Sequence, residues 1–365
     1  MRDRKENTYL VATQSQLMWW KFRKHKLALA GTAVLALFLL IALAAEVLSP
    51  STPFARDTEY VLGPPQLMRF VDAAGKWHAA FVCAQRQERD PVTLRMRYKE
   101  DPAERIPVRF WVHGEPYVLW GLFASDVHLI GLEGGSLHIL GTDDLGRDVL
   151  TRVLYGTRIS LSIGVIGVLI SFVLGLLLGG IAGYAGGWID GLIQRFTEFI
   201  RSIPSLPLWM ALSASLPIGW TGLQVYLAIT VILGFLGWTS LARRVRGKLL
   251  SLREEDYIMA ARICGCSDGR IVSRHMLPSF LSYLIVDITV SFPNMILGET
   301  ALSFIGLGLR PPIVSWGVLL QSAQSIQTLA MQPWLLSPVA FIVLAVLAFS
   351  FVGDGLRDAA DPYSR

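Results

Sequence analysis

Three cysteines, Cys83, Cys264 and Cys266, are all that the 365 residues contain, too few for a four-thiolate zinc site or a framework of several disulfides. Charge is also scarce. Only 17% of the residues are charged against 53% hydrophobic, and the mean hydropathy of +0.47 lies above that of ordinary soluble domains, so the composition is that of a membrane protein. The net charge of +5 does not indicate nucleic acid, because the basic residues cluster beside long apolar runs, where they orient a chain in a bilayer. The six histidines are scattered. No Ser-His-Asp, His-Glu-x-x-His or Cys-His arrangement can be assembled from them.

A phosphate-binding loop is missing too. "GTDDLGRD", residues 141 to 148, has the glycines of one, Gly141 and Gly146, but carries Arg147 and Asp148 where Lys and Ser or Thr are needed. Its acids, Asp143 and Asp144, would repel a phosphate. With His138 they imitate a carboxylate and base cluster, a pattern more often found as hydrogen-bonded structure. The chain is therefore read as non-catalytic, with no cofactor or metal of its own.

What is abundant is apolar sequence at membrane length. Leu27 to Leu48 matches a helix crossing roughly 30 Å of hydrocarbon at about 1.5 Å per residue, and it exceeds the apolar core of a signal peptide. Lys21, Arg23, Lys24 and Lys26 precede it and place the N-terminus in the cytoplasm. Further apolar segments lie at 159–184, 205–218, 221–242, 280–304 and 333–353. Six spans leave both termini cytoplasmic: segment 1–26 precedes the first span (27–48), and tail 354–365 follows the core, 156–353. Arg195 and Arg201, and the group Arg243, Arg244, Arg246, Lys248, Arg253, Arg262, Arg270 and Arg274, then fall on the cytoplasmic side, as the charge rule requires. Residues 49–155 are too long for a turn and are expected to form a small β-rich extracytoplasmic insert. Within it "VRFWVHGEPYVLWGLF" predicts a hairpin turning at His113-Gly114-Glu115-Pro116. The glycines Gly164, Gly167, Gly175, Gly179, Gly180 and Gly183 are read as allowing close helix packing.

The cytoplasmic loop 243–278 holds its own helix signals. Ser251 and Glu254 have capping-box spacing, and Gly265 is suited to end a helix, which predicts one over 252–264. Tyr257, Ala260, Ala261 and Cys264 then share a small face fit to dock in a groove. A second helix starts at Ser267 or Asp268 and ends near Pro278. For Cys264, Cys266 and His275 to bind a metal, two helices would have to bend together, and they would still fall one ligand short of a tetrahedral set.

Residues 259 to 278 resemble the loop signature of permease subunits of ATP-binding-cassette importers: Glu-Ala-Ala, three residues, Gly, nine residues, Ile, one residue, Leu-Pro. Ala260, Ala261, Gly265, Leu277 and Pro278 match, while Met259 stands where the family often has Glu and His275 where it often has Ile. Glu254, Glu255 or Asp256 could replace the missing acid. "HILGTDDLGRDVLTRVLYGTRISLSIG", "ETALSFIGLGL", "SWGVLL" and "DGLRDAADP" resemble the second, C-type permease of dipeptide, oligopeptide and nickel importers. The likeness covers about residues 10 to 48 and 136 to 365; the insert at about 50 to 135 is longer than is usual.

The resemblance implies a type I importer permease fold in a bacterial or archaeal cytoplasmic membrane. The implied partners are a second, related permease, two cytoplasmic ATPases carrying ATP and Mg, and an extracytoplasmic solute-binding protein. Glu254, Asp256, Tyr257, Ala260, Ala261 and Gly265 would couple the chain to an ATPase. Asp287, Asn294 and Glu299 are the pathway candidates, because ionisable groups at membrane depth are rare and usually face a cavity or partner. Two other classes remain: a proton-driven secondary transporter using Asp287 and Glu299, and a membrane-bound sensor built around the insert. The cargo (peptide, oligosaccharide or nickel chelate) is left open.

Overall fold

The computed structural model describes residues 13–72, 75–89, 91, 96–133 and 135–360. Residues 1–12 and 361–365 of the expected cytoplasmic ends lie outside them. In chain order the elements are α1 (Gln14–Phe22), α2 (Lys26–Leu43), α3 (Ala45–Leu48), β1 (Arg69–Val71), β2 (Trp77–Arg89), β3 (Met96–Leu119) and β4 (Phe123–Leu132). There follow α4 (Val149–Ala185), α5 (Gly187–Ser202), α6 (Ser205–Ala214), α7 (Gly222–Leu252) and α8 (Asp256–Ile263). A further helix, α9, has an α turn (Asp268–Arg270), a π segment (Ile271–Met276) and a second α turn (Leu277–Ser279). The last elements are α10 (Leu281–Phe304), α11 (Trp316–Gln321), α12 (Ile326–Met331), a 3-10 turn (Pro333–Leu336) and α13 (Ser337–Ala360). Among the described residues five helices are long and apolar enough to cross a membrane: α2, α4, α7, α10 and α13 with its preceding turn. The apolar stretch expected over 205–218 is the shorter α6, because Pro217 and Gly219 stop it early.

The chain divides into two compact units. One comprises Met1–Ala36, Ser162–Glu299 and Val343–Arg365. One close helix contact joins α4 to α7. A Cβ built on Gly179 would lie 2.5 Å from the Ala242 carbonyl oxygen, and one on Gly183 would lie 2.9 Å from that of Arg246. Gly175, one turn earlier, abuts Leu241. Small residues every fourth position let two backbones meet where a side chain would hold them apart. Phe292 of α10 stacks on Phe349 of α13 with centroids 4.7 Å apart.

The other unit comprises Leu37–Leu161 and Thr300–Ile342. Its strands form a four-stranded antiparallel sheet in the order β1-β2-β3-β4 around Val82, Val108, Leu132 and Leu137. The hairpin expected at His113 to Pro116 lies elsewhere. β3 runs straight through that stretch with a bulge between His113 and Tyr117, and the chain turns at Trp120-Gly121-Leu122. Proline and glycine are tolerated there because the bulge interrupts the ladder. Trp316, fully buried, donates its indole N–H to the Val153 carbonyl at 3.2 Å and packs against Phe38 and Phe341, which accounts for the "SWGVLL" stretch.

"GTDDLGRD" forms a structural clamp. Asp143 accepts from the backbone N–H groups of Leu145 and Arg147 and from the guanidinium groups of Arg147 and Arg152. Asp148 accepts from Thr151 N at 2.6 Å and so caps α4. Gly146 adopts φ +72, and any Cβ there would meet the Asp57 carbonyl at 2.1 Å. His138 is buried between Asp148 (Nδ1, 3.2 Å) and Asp57 (Nε2, 3.3 Å). Burial opposes its charge, but hydrogen bonds to the two carboxylates prevail and push it up to about 9. With an acceptor at each nitrogen the ring is the doubly protonated imidazolium.

A group whose folded pKa is raised stabilises fully below its unfolded value and ceases to do so as pH rises through the folded one. The protein is therefore expected to lose thermal stability from pH 6.5 to about 9, and His138→Gln to flatten that slope in melting curves. Gly179→Ala is expected to cost about 1–3 kcal/mol through overpacking, read as a lower Tm in detergent. Gly191→Ala, inside α5 with open space around it, should instead leave Tm the same or slightly higher, since alanine favours a helix over glycine by about 1 kcal/mol.

Candidate functional site

Two features of the unit holding Ser162–Glu299 concentrate the residues singled out from sequence. The first is the pair of short helices after α7. The helix expected over 252–264 is instead α8, Asp256–Ile263, because α7 continues through Arg243, Arg244, Arg246 and Lys248 to Leu252. Ser251 therefore lies inside α7, and no capping box forms with Glu254. Glu255 occupies the N-cap position of α8, while Asp256 in its first turn and Arg262 in its last complement the helix dipole. At the other end Gly265, at φ +75, closes a Schellman motif: Cys266 N donates to Ala261 O at 3.1 Å and Gly265 N to Arg262 O at 3.0 Å.

The inward face of these helices is apolar. Ile258 of α8 and Ile271 and Met276 of α9 are fully buried among Leu241, Val245 and Leu249 of α7 and Leu284 of α10. Each such side chain contributes roughly 1.5–3 kcal/mol on burial, so the pair cannot move independently of the long helices. At the α9 end Tyr184 of α4 donates to Asp268 at 2.5 Å, and Arg262 lies over the Tyr184 ring.

The outward face differs in part from the expected one. Tyr257, Ala260 and Cys264 are exposed, as are Glu254, Asp256 and Gly265, but Ala261 is half-buried against the core cluster. Cys266 also packs toward that cluster. The largest apolar exposure belongs to Ile263, 85% accessible, with Met259 one turn before it. Sequence reasoning missed these two because the Ala-Ala pair drew the face one position too far round. The signal was present: Met259 and Ile263 are spaced i, i+4 and so share one face of the helix.

The second feature is a cavity of about 540 Å³. Asp287 and Asn294 line it together with Arg201, Ser240, Arg244 and Trp209, whereas Glu299 does not. Glu299 is fully buried in α10, which continues through Pro293 to Phe304. Asp287 is paired with Arg244 of α7 at 2.5 Å, a partner the sequence reading had assigned to a loop. Arg201 donates to Ser240 at 2.6 Å. The indole N–H of Trp209 is buried and has no acceptor among the described residues. The cavity thus offers a cation and an anion on apolar walls.

Arg201 and Asp190 reach α7 from α5, a helix read as loop from sequence. Arg246 grips Asp190 through two bonds of 2.5 and 2.6 Å and holds that carboxyl below its usual range. The missed signal was helical spacing of Ile189, Leu192, Ile193, Phe196, Phe199 and Ile200.

Comparison with known proteins places the chain in a family. Residues 175–365, more than half of the chain, match the binding-protein-dependent transport system inner membrane component. Residues 13–65 match the N-terminal TM domain of oligopeptide transport permease C. The dipeptide transport system permease protein DppC of Bacillus subtilis is 40% identical over 230 residues, covering 62% of this chain and 69% of that protein. The oligopeptide transport system permease protein OppC of Haemophilus influenzae is 40% identical over 229 residues, covering 62% and 71%. Among solved structures, the inward-facing MetNI methionine ABC transporter aligns at 20% identity with a TM-score of 0.46, covering 57% of this chain and 95% of that one. The chain belongs to the family of binding-protein-dependent transport system inner membrane components, the membrane-spanning permeases of ATP-binding-cassette importers.

Proposed function

We propose that the chain forms half of the translocation pathway of a peptide importer and takes its free energy from a cytoplasmic ATPase seated against α8. The observation that carries this is the two-sidedness of α8: Ile258 is buried against α7, while Tyr257, Met259 and Ala260 face outward. A force applied to the outward face is passed by close-packed side chains to α7 and α10. Glu254 and Asp256 flank that face and supply the acid that Met259 does not. In this reading α6, together with the end of α5 that leads into it, makes a sixth crossing beside the five long helices, both termini are cytoplasmic, and residues 49–148 lie outside. A second permease, two ATPases carrying ATP and Mg, and a solute-binding protein complete the assembly.

Peptide is supported as cargo by the names of the relatives and by the chemistry of the cavity. Arg244 and Asp287 match the two termini of a zwitterion. The proton-driven alternative is weakened, since Asp287 is held by a cation and Glu299 is outside the cavity. A titrating carrier would need both carboxylates free to exchange protons along one route.

The coupling surface is tested with Ala260→Arg, an exposed position. Complex assembly should persist while ATP-driven uptake into vesicles falls about tenfold or more, the equivalent of losing roughly 1.4 kcal/mol of contact; normal coupled uptake would remove α8 from the coupling route. For the cavity, Arg244→Gln, Asp287→Asn and the double variant are each expected to weaken transport of a dipeptide with free termini. If the double variant regains full transport, the pair only neutralises itself and does not read the cargo.

A further inference from the structure

Within the unit comprising Leu37–Leu161 and Thr300–Ile342, the tip of the β3-β4 hairpin is the uncharged run "VLWGLFA", residues 118 to 124. It is open to solvent to an unusual degree. Leu122 is 77% and Phe123 67% accessible, and Val118 and Trp120 are also more than half exposed. An uncharged tip of large apolar side chains is rare on a surface that faces only water.

The structure also shows where this tip is held. Trp120 donates its indole N–H to the carbonyl of Leu43 at 3.0 Å, the last residue of α2. Its ring is covered by the guanidinium of Arg158, 4.7 Å from the centroid. That guanidinium donates in turn to the Ala42 carbonyl at 2.7 Å and to both oxygens of Glu46 at 2.7 and 2.6 Å. Trp120 sits at φ +54, a left-handed conformation that costs energy for a bulky residue and that Gly or Asn would adopt more readily. The strain is offset by what the indole reaches. At its base the hairpin is tied to the chain following α3, where His128 bonds to the Ser49 carbonyl at 2.7 Å and Thr52 to Glu115 at 2.6 Å.

α2 is an uncharged helix of spanning length after Lys26, and Leu39, Leu40 and Leu43 in its last turns are exposed apolar side chains. The hairpin tip is fastened to the end of this helix and continues its apolar exterior. A Trp with its N–H satisfied, an Arg beside it and aliphatic residues beyond are the composition of a membrane interface.

We propose that the tip of the β3-β4 hairpin is embedded in the lipid leaflet at the C-terminal end of α2, so that the insert lies down on the bilayer and does not stand free above it. Trp120 marks the interface, and Leu122 and Phe123 enter the acyl region. This goes beyond the transport reading and holds whichever way the chain is oriented, since it requires only that α2 spans.

The test uses the assembled importer in phosphatidylcholine vesicles, with Cys83→Ala, Cys264→Ser and Cys266→Ser and a single environment-sensitive label at Leu122→Cys, at Phe123→Cys, or, as a control, at the exposed Glu104→Cys. Interfacial groups lie within about 5–10 Å of the headgroup and acyl boundary, so labels at 122 and 123 should lose about half their fluorescence to lipids carrying a nitroxide near the headgroup. The label at 104 should keep its signal. Equal, weak quenching at all three positions overturns the proposal. So does a label at 122 that ignores nitroxide lipids but is shielded by added solute-binding protein, because the tip would then be a protein-docking face. Quenching reports lipid contact whether or not the vesicles transport, so failure of the transport reading would be seen separately.

Discussion

Burial of Ile258, Ile271 and Met276 between α7 and α10 is the contact on which the placement of α8 and α9 depends. Two short helices with exposed outer faces could not hold a fixed position alone, since helices of this length are marginal in water. Their apolar undersides give them one. α9 contributes through its π segment, Ile271–Met276, whose wider turn is of the kind that inserts at functional points of a helix. The unbroken run of α7 to Leu252 gives both short helices a rigid base.

The same economy governs the charges. Arg246 is paired with Asp190, Arg244 with Asp287 and Arg158 with Glu46, each at 2.5 to 2.6 Å. Ions moved out of water are tolerated only when paired and hydrogen-bonded. The Arg246 pair has two bonds in the planar fork that suits a carboxylate and fixes α5 against α7. The Arg244 pair has one short contact on the wall of the cavity, leaving donors on the guanidinium and an oxygen on the carboxylate.

How much of this was legible in the sequence varies with the range of the interaction responsible. Long apolar runs gave the spanning helices, because helical length against membrane thickness is a local property. Gly265 could be read as a helix stop for the same reason: its left-handed backbone is set within one turn. The start of α8 was misplaced since a capping-box pattern at Ser251 and Glu254 competes with continuation of α7, and it is the burial of Val245, Leu249 and Leu252 that decides for the helix. His113-Gly114-Glu115-Pro116 looked like a turn locally. Pairing of both flanks with β4 made it a bulge. Arg244 as the partner of Asp287 was beyond reach, because no local pattern joins residues on two helices that far apart in the chain.

A long insertion between the first two spanning helices would ordinarily loosen both. Here its ends are fastened together before the sheet begins. Glu46 is bound to Arg158, the Ser51 and Thr151 hydroxyls meet at 3.2 Å, and Asp57 N donates to Gly146 O at 2.9 Å. The clamp of Asp143, Asp148 and His138 locks the returning strand to the start of α4. Once the ends are fixed, the entropy of closing the loop grows only as the logarithm of its length, about 0.6 kcal/mol per doubling. The sheet between them therefore adds little strain to the membrane helices. What it adds is surface, and the most apolar part of that surface is tied by Trp120 to the end of α2.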